Sequence, residues 1–114
     1  MPRDETYLLY MLLAARRVVR STSQVSRAEF DSNVEKMDSV VLQIGNIGEA
    51  ASHISSEYCN LHPMIPWGEI IGMRHRVFHG YEVIDWNKVW DTATISVPKL
   101  IPMIEPLVPP EEET

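Results

Sequence analysis

Apolar residues at Phe30, Val34, Met37, Val41, Ile44, Gly48 and Ala51 alternate steps of four and three over three heptads. That spacing draws one stripe along an α-helix and scatters side chains to both faces of a strand. The same rhythm recurs at Leu8, Leu12, Ala15, Val19 and Thr22, and again at Trp86, Trp90, Ala93, Val97, Leu100, Ile104 and Leu107. No stretch alternates at period two, so a sheet has no apolar face from which to build. The chain must bury its stripes helix against helix.

Local signals set the expected boundaries. Asp4 suits the N-cap of a first helix that ends at Ser21, Thr22, Ser23 and Gln24. Ser26 and Glu29 have the spacing of a capping box. The second helix runs from there to about Ser55, roughly 45 Å at 1.5 Å per residue. Gly45 and Gly48 weaken it locally but let a neighbouring helix approach. A loop over residues 56–65 follows, with Asn60 and Pro63 as breakers. Pro66 fits the first turn of a third helix, which takes in Trp67, Ile70, Ile71, Met73, Val77 and Phe78 and has Gly80 as its C′ residue. Asp85 caps a fourth helix that Pro98 and Pro102 should kink or interrupt. The predicted architecture is all-α: an antiparallel four-helix bundle with a kinked C-terminal helix, formed by residues 1–108, then an acidic tail at 109–114.

Composition narrows the function. One domain is the expectation for 114 residues, and 45% hydrophobic residues suffice for a modest core. No apolar run approaches the roughly 20 residues a membrane helix needs. The charged start, Met1-Pro2-Arg3-Asp4-Glu5, matches neither a secretory signal nor a transit peptide. The single cysteine, Cys59, excludes an intramolecular disulfide and any multi-cysteine metal site in one chain. A cytoplasmic protein is the simplest expectation. The net charge of −6 argues against broad phosphate neutralisation. Basic residues gather only at Arg16, Arg17 and Arg20, and at Arg74 and Arg76, so any contact with a nucleic acid must be local and salt-sensitive.

The octapeptide Arg74-His75-Arg76-Val77-Phe78-His79-Gly80-Tyr81 holds the chemistry-bearing groups. It sets guanidinium, imidazole and phenol within about two helical turns. Arg can hold a phosphate, and His can move the proton of a 2′-hydroxyl. Five residues separate Arg74 from His79, about 140° around an ideal helix. They share a site only if Arg74 wraps the gap, if the last turn opens at Gly80, or if two copies of the motif meet across a two-fold axis. The bland alternative is that Arg and His complement the negative end of a helix terminated by Gly. His75 and His79 also have the spacing of a helical two-His metal site, but the neighbouring arginines disfavour a cation, and no metal or cofactor is expected.

The pattern Arg-x4-His-x-Tyr is similar to the signature of the HEPN ribonucleases, in particular the HepT-like toxin branch. Further blocks in the same order support the resemblance: Ile47-Gly48-Glu49-Ala50-Ala51, His62-Pro63-x-Ile65-Pro66-Trp67, Ile71-Gly72-Met73-Arg74, and Val89-Trp90 through to Pro98. The resemblance implies a metal-independent endoribonuclease that is the toxin half of a toxin–antitoxin pair and works as a homodimer with motifs facing a common groove. It implies catalytic roles for Arg74 and His79. It also makes Tyr81 the residue to which a partner nucleotidyltransferase antitoxin attaches AMP, blocking the RNA groove. His75 stands where that branch most often has Asn, and with Arg76 and Glu49 it is a supporting candidate. Glu49 could orient Arg74 or cap a helix, or form a solvated face with Asn46 and His53. Cys59 and the three tryptophans are expected to pack. Ile47 and Ile54 fall off the main stripe of the second helix, an apolar surplus that also points to a dimer. Two other classes stay open: a non-catalytic nucleotide- or protein-binding module that partners a nucleotidyltransferase, and a structural helical dimer.

Overall fold

The first stripe folds into α1 (Pro2–Thr22), the longest helix. A computed structural model describes residues 2–79 and 83–110, with the backbone alone at Pro2 and His79. Leu8, Met11, Leu12, Ala15 and Val18 are all buried, a wider face than one stripe, because α1 packs against both α3 and α8. Asp4 lies inside this helix and does not cap it. Its buried carboxylate accepts hydrogen bonds from the backbone N–H and the hydroxyl of Ser55, both at 2.8 Å. Burial pushes the Asp4 pKa up, but these two bonds, with help from Arg3, outweigh it and leave the pKa below its ordinary value.

The second expected rod is broken. The Ser26–Glu29 capping box forms as expected and opens α2 (Arg27–Asp31), which places Phe30 in the core against Trp86 and Trp90. The helix then stops at Ser32, and Asn33 restarts the chain by accepting from the Lys36 N–H at 3.0 Å, giving α3 (Val34–Ser52). Two short polar residues that compete for backbone hydrogen bonds supply the break. The break leaves Val34 out of the stripe, while Val41, Ile44, Gly48 and Ala51 stay buried as expected and Val40 and Ile47 widen the face. Val34 is 66% exposed, whereas Val40 and Ile47 are fully buried beside Ile44 and Ala51. Ile47 and Ile54 therefore belong to the core of a single chain and are not the surplus expected of a dimer face.

The expected loop contains α4 (Ser56–Leu61), which Ser55 caps through the Tyr58 N–H. Cys59 sits on it half-buried, and burial, reinforced by the Asp4 carboxylate, pushes its thiol pKa up, as suits a packing residue. The third rod is two short helices, α5 (Trp67–Ile71) and α6 (Met73–Val77), joined at Gly72. α3 admits them at Gly48, where an added Cβ would stand 3.1 Å from the Ile71 carbonyl oxygen and 3.3 Å from that of Ile70. Gly45 has no such role, since a Cβ there would meet nothing within 4 Å.

The third rod also ends early. α6 stops at Val77, because Phe78 turns to an extended conformation. Phe78–His79 (β1) pairs antiparallel with Val83–Ile84 (β2), Phe78 opposite Ile84 and His79 opposite Val83. The expected role of Gly80 as a C′ residue lies outside the described residues. Asp85 then caps α7 (Trp86–Asp91) through the Lys88 N–H. A π-helical turn, Thr92–Ser96, leads into α8 (Val97–Ile104) and a 3₁₀ turn, Glu105–Leu107. Pro98 explains the widening. It has no N–H to give the Thr94 carbonyl, and its ring crowds that oxygen. The Val97 N–H reaches back to the Thr92 carbonyl instead. Among the described residues no helix is long and apolar enough to cross a membrane. Of the expected acidic tail at 109–114, residues 111–114 lie outside the described residues.

Two stability effects follow from this packing. Asp4→Asn removes a charged acceptor from two hydrogen bonds and should cost about 2 kcal/mol in urea denaturation at neutral pH. A depressed folded-state pKa stabilises above the ordinary carboxylate value of 3.8 and loses that contribution as pH falls through the folded value. The gap between wild type and variant should therefore shrink in acid; a gap that stays constant below pH 4 would show the charge to be irrelevant. In the second test, Gly48→Ala should destabilise by about 1–3 kcal/mol through forced displacement of the α5 backbone. Gly45→Ala should instead stabilise by about 0.5–1 kcal/mol. Thermal melts of the two variants check the contrast in sign.

Candidate active site

α6 is anchored by Met73 and Val77, four residues apart and both buried. That spacing turns the intervening Arg74, His75 and Arg76 outward, and all three are exposed. They do not, however, share a site. Arg74 leans back toward α3, with its guanidinium carbon 5.2 Å from the centre of the Phe78 ring. It borders an open groove of about 420 Å³ that is also lined by the Leu42, Gly45, Asn46 and Glu49 face of α3 and by Phe78 and Ile84. Arg76 points to the opposite side and donates to the Ser96 hydroxyl at 3.3 Å, in a smaller cavity with Lys99. His75 lines neither.

Arg74 makes no ion pair or hydrogen bond among the described residues, so its donors stay available to a ligand, and stacking on Phe78 restricts where they point. The groove also contains the carboxylates of Asp38 and Glu49. Glu49 does not orient Arg74. Its carboxylate is 3.1 Å from the imidazole Nε2 of His53, on an exposed face, as the solvated-face expectation had it.

His79 lies on β1, immediately beyond the Phe78 platform. Because the helix has ended by then, the 140° argument against a shared face does not apply. The helical two-His spacing for a metal fails for the same reason: His75 is on α6 and His79 on a strand. Tyr81 lies outside the described residues. The tryptophans pack as expected. Trp67 is buried with its indole N–H on the His62 carbonyl at 3.0 Å, and Trp86 and Trp90 flank Phe30.

Sequence reasoning had not marked Asp38, Leu42 or Asn46 as groove residues. Their signal was present, since steps of four, four and three from Asp38 through Leu42 and Asn46 to Glu49 trace the face of α3 opposite its buried stripe. Without knowing what α3 packs against, that face looks like any solvated one.

Residues 11–107 match the family described as Ribonuclease HepT-like. The chain belongs to the HepT-like ribonuclease family. Relatives span nearly its whole length. The protein named "Putative RNase MJ1380" of Methanocaldococcus jannaschii is 31% identical over 104 residues, which is 90% of this chain and 95% of that protein. From the same organism, "Putative RNase MJ0125" is 30% identical over 97% of both chains. "Probable ribonuclease HepT" of Thermococcus cleftensis is 29% identical over 82% of this HepT-like chain and 86% of its own. No solved structure matches at a significant level.

Proposed function

We propose that this HepT-like protein is a metal-independent endoribonuclease with Arg74 and His79 at its catalytic centre. The observation that supports it best is the unpaired Arg74 guanidinium on the wall of an open groove whose lining includes Phe78, the residue just before the strand-borne His79. In this reading His79 removes the proton of a 2′-hydroxyl, whose oxygen attacks the adjacent phosphorus. The bond from phosphorus to the 5′-oxygen breaks and that oxygen takes up a proton, leaving a 2′,3′-cyclic phosphate and a 5′-hydroxyl. The Arg74 donors hold the non-bridging oxygens as negative charge builds on them. His75, Arg76 and Glu49 remain outside the bond-making steps.

A single copy offers one guanidinium between two carboxylates, a thin anion site. A homodimer that faces two Arg74 grooves would double the positive charge, and the exposed Leu42 and Val83 near this end supply apolar surface for it. As the toxin of a toxin–antitoxin pair, the protein would be silenced by a nucleotidyltransferase antitoxin. The Tyr81 hydroxyl would attack the α-phosphorus of ATP and release pyrophosphate. The AMP left on Tyr81 puts a negative phosphate close in sequence to Arg74 and opposes RNA binding.

His79→Ala and Arg74→Ala should each lower cleavage of a test RNA by at least about 100-fold. Wild-type cleavage should persist in a chelator, and a 2′-deoxy sugar at the cut position should make the substrate inert. Gel analysis of end groups reads all three; undiminished cleavage by His79→Ala would assign the activity elsewhere. For the switch, Tyr81→Phe should keep its nuclease activity yet escape neutralisation when co-expressed with the cognate nucleotidyltransferase. Peptide mass spectrometry should find AMP on Tyr81 in wild type, and a modified peptide lacking Tyr81 would end the proposal.

A further inference from the structure

Beside the Arg74 groove lies a second cleft, about 460 Å³, between α1 and α3. Asn46 and Glu49 border both cavities, so the two run along one strip of α3. We propose that this α1–α3 cleft is a base-binding subsite, seating one unstacked base of a single-stranded RNA next to the cut phosphate. The proposal rests on the ribonuclease reading above.

Three features of the lining point to a nucleobase. The first is aromatic. Tyr7 stacks on the His53 imidazole, with centres 4.8 Å apart and planes within 16°, and Tyr10 meets Tyr7 edge-on at 5.9 Å. Tyr10 is 53% exposed, so it presents ring surface on which a base can stack.

The second is an unused amide. Gln43 is nine-tenths buried, accepts a long 3.4 Å bond from the Asn46 amide, and lines the cleft. Its own amide N–H groups donate to nothing among the described residues. That nitrogen keeps access to water, which a ligand seated in the cleft can replace with an acceptor of its own. Paired carboxamides offer the alternating donors and acceptors that read base edges, and the Glu49 carboxylate can accept from an exocyclic amine.

The third is charge. Of the two basic clusters in an acidic chain, Arg16 is committed to Glu105 at 2.7 Å, but Arg17 lines the cleft and makes no ion pair among the described residues. Arg17 and Arg74, 57 positions apart in sequence (74 minus 17), thus flank the same strip of α3. A strand whose cut phosphate lies on Arg74 can place a neighbouring phosphate on Arg17 and its base against Gln43.

Binding of fluorescent 2′-O-methyl oligonucleotides of each single base tests this apart from cleavage, because the methyl blocks the nucleophile. Wild type should prefer one base over the others. Tyr10→Ala and Arg17→Ala, both at exposed positions, should each weaken the preferred oligonucleotide about tenfold. Gln43→Met, which keeps the volume, should flatten the ranking among bases, while Arg27→Ala on the distant α2 should bind as wild type does. Base-selective binding at the cleft by a protein that cuts no RNA would keep the subsite and remove the ribonuclease reading. Three results would overturn the subsite: cleft variants that bind like wild type while Arg74→Ala does not, no binding by wild type, or a loss of dimer mass in Tyr10→Ala, which would make the cleft an interface between copies.

Discussion

The contact on which the site depends is the one between Gly48 and the carbonyls of Ile70 and Ile71. Only a residue without a Cβ lets two helices touch backbone to backbone at this point. That contact sets the distance between α3 and the α5–α6 pair, and therefore the width of the groove under Arg74. Because Met73 and Val77 are buried one turn further on, α6 cannot roll to compensate for a shift at Gly48. Groove geometry and core packing are here the same constraint.

The site is assembled by endings as much as by helices. α6 stops at Val77, which frees Phe78 to lie beneath Arg74 and puts His79 on a strand. Had the helix continued to Gly80, Arg74 and His79 would have diverged around its axis. The two-residue pairing with Val83–Ile84 holds that early ending open, and the 2.7 Å bond from the Asp85 N–H to the Val77 carbonyl satisfies the terminal acceptor.

Much of this was legible beforehand. The helical class, the capping box at Ser26, the cap at Asp85, the interruption near Pro98 and the buried positions Ala93, Val97, Leu100 and Ile104 follow from spacing and cap chemistry. The errors share a cause. The break at Ser32 and Asn33 was hidden because the apolar pattern runs on through it, and Asp4 looked like a cap because its Ser55 partner is 51 residues away. Ser55, the expected end of the second helix, is instead the N-cap of a helix in the segment that Pro63 and Asn60 made look like loop. Arg74 and Arg76 could be picked from the motif, but the fact that they face different cavities depends on α3 and α8, and no local pattern carries that.

The π turn has a consequence for how this chain tolerates changes in length. Val89, Ala93 and Val97 are all fully buried at two successive steps of four. On a regular α-helix each such step overshoots by about 40°, and the pair would leave Val97 about 80° around the axis from Val89. The wider turn over Thr92–Ser96 absorbs the excess, as though one residue had been inserted and the helix had swollen locally to accommodate it. Relatives shorter by one residue between positions 92 and 96 can therefore run as straight α-helix with the same inward face. A gap of one there would be a change of winding, with the groove on the other side of the molecule left as it is.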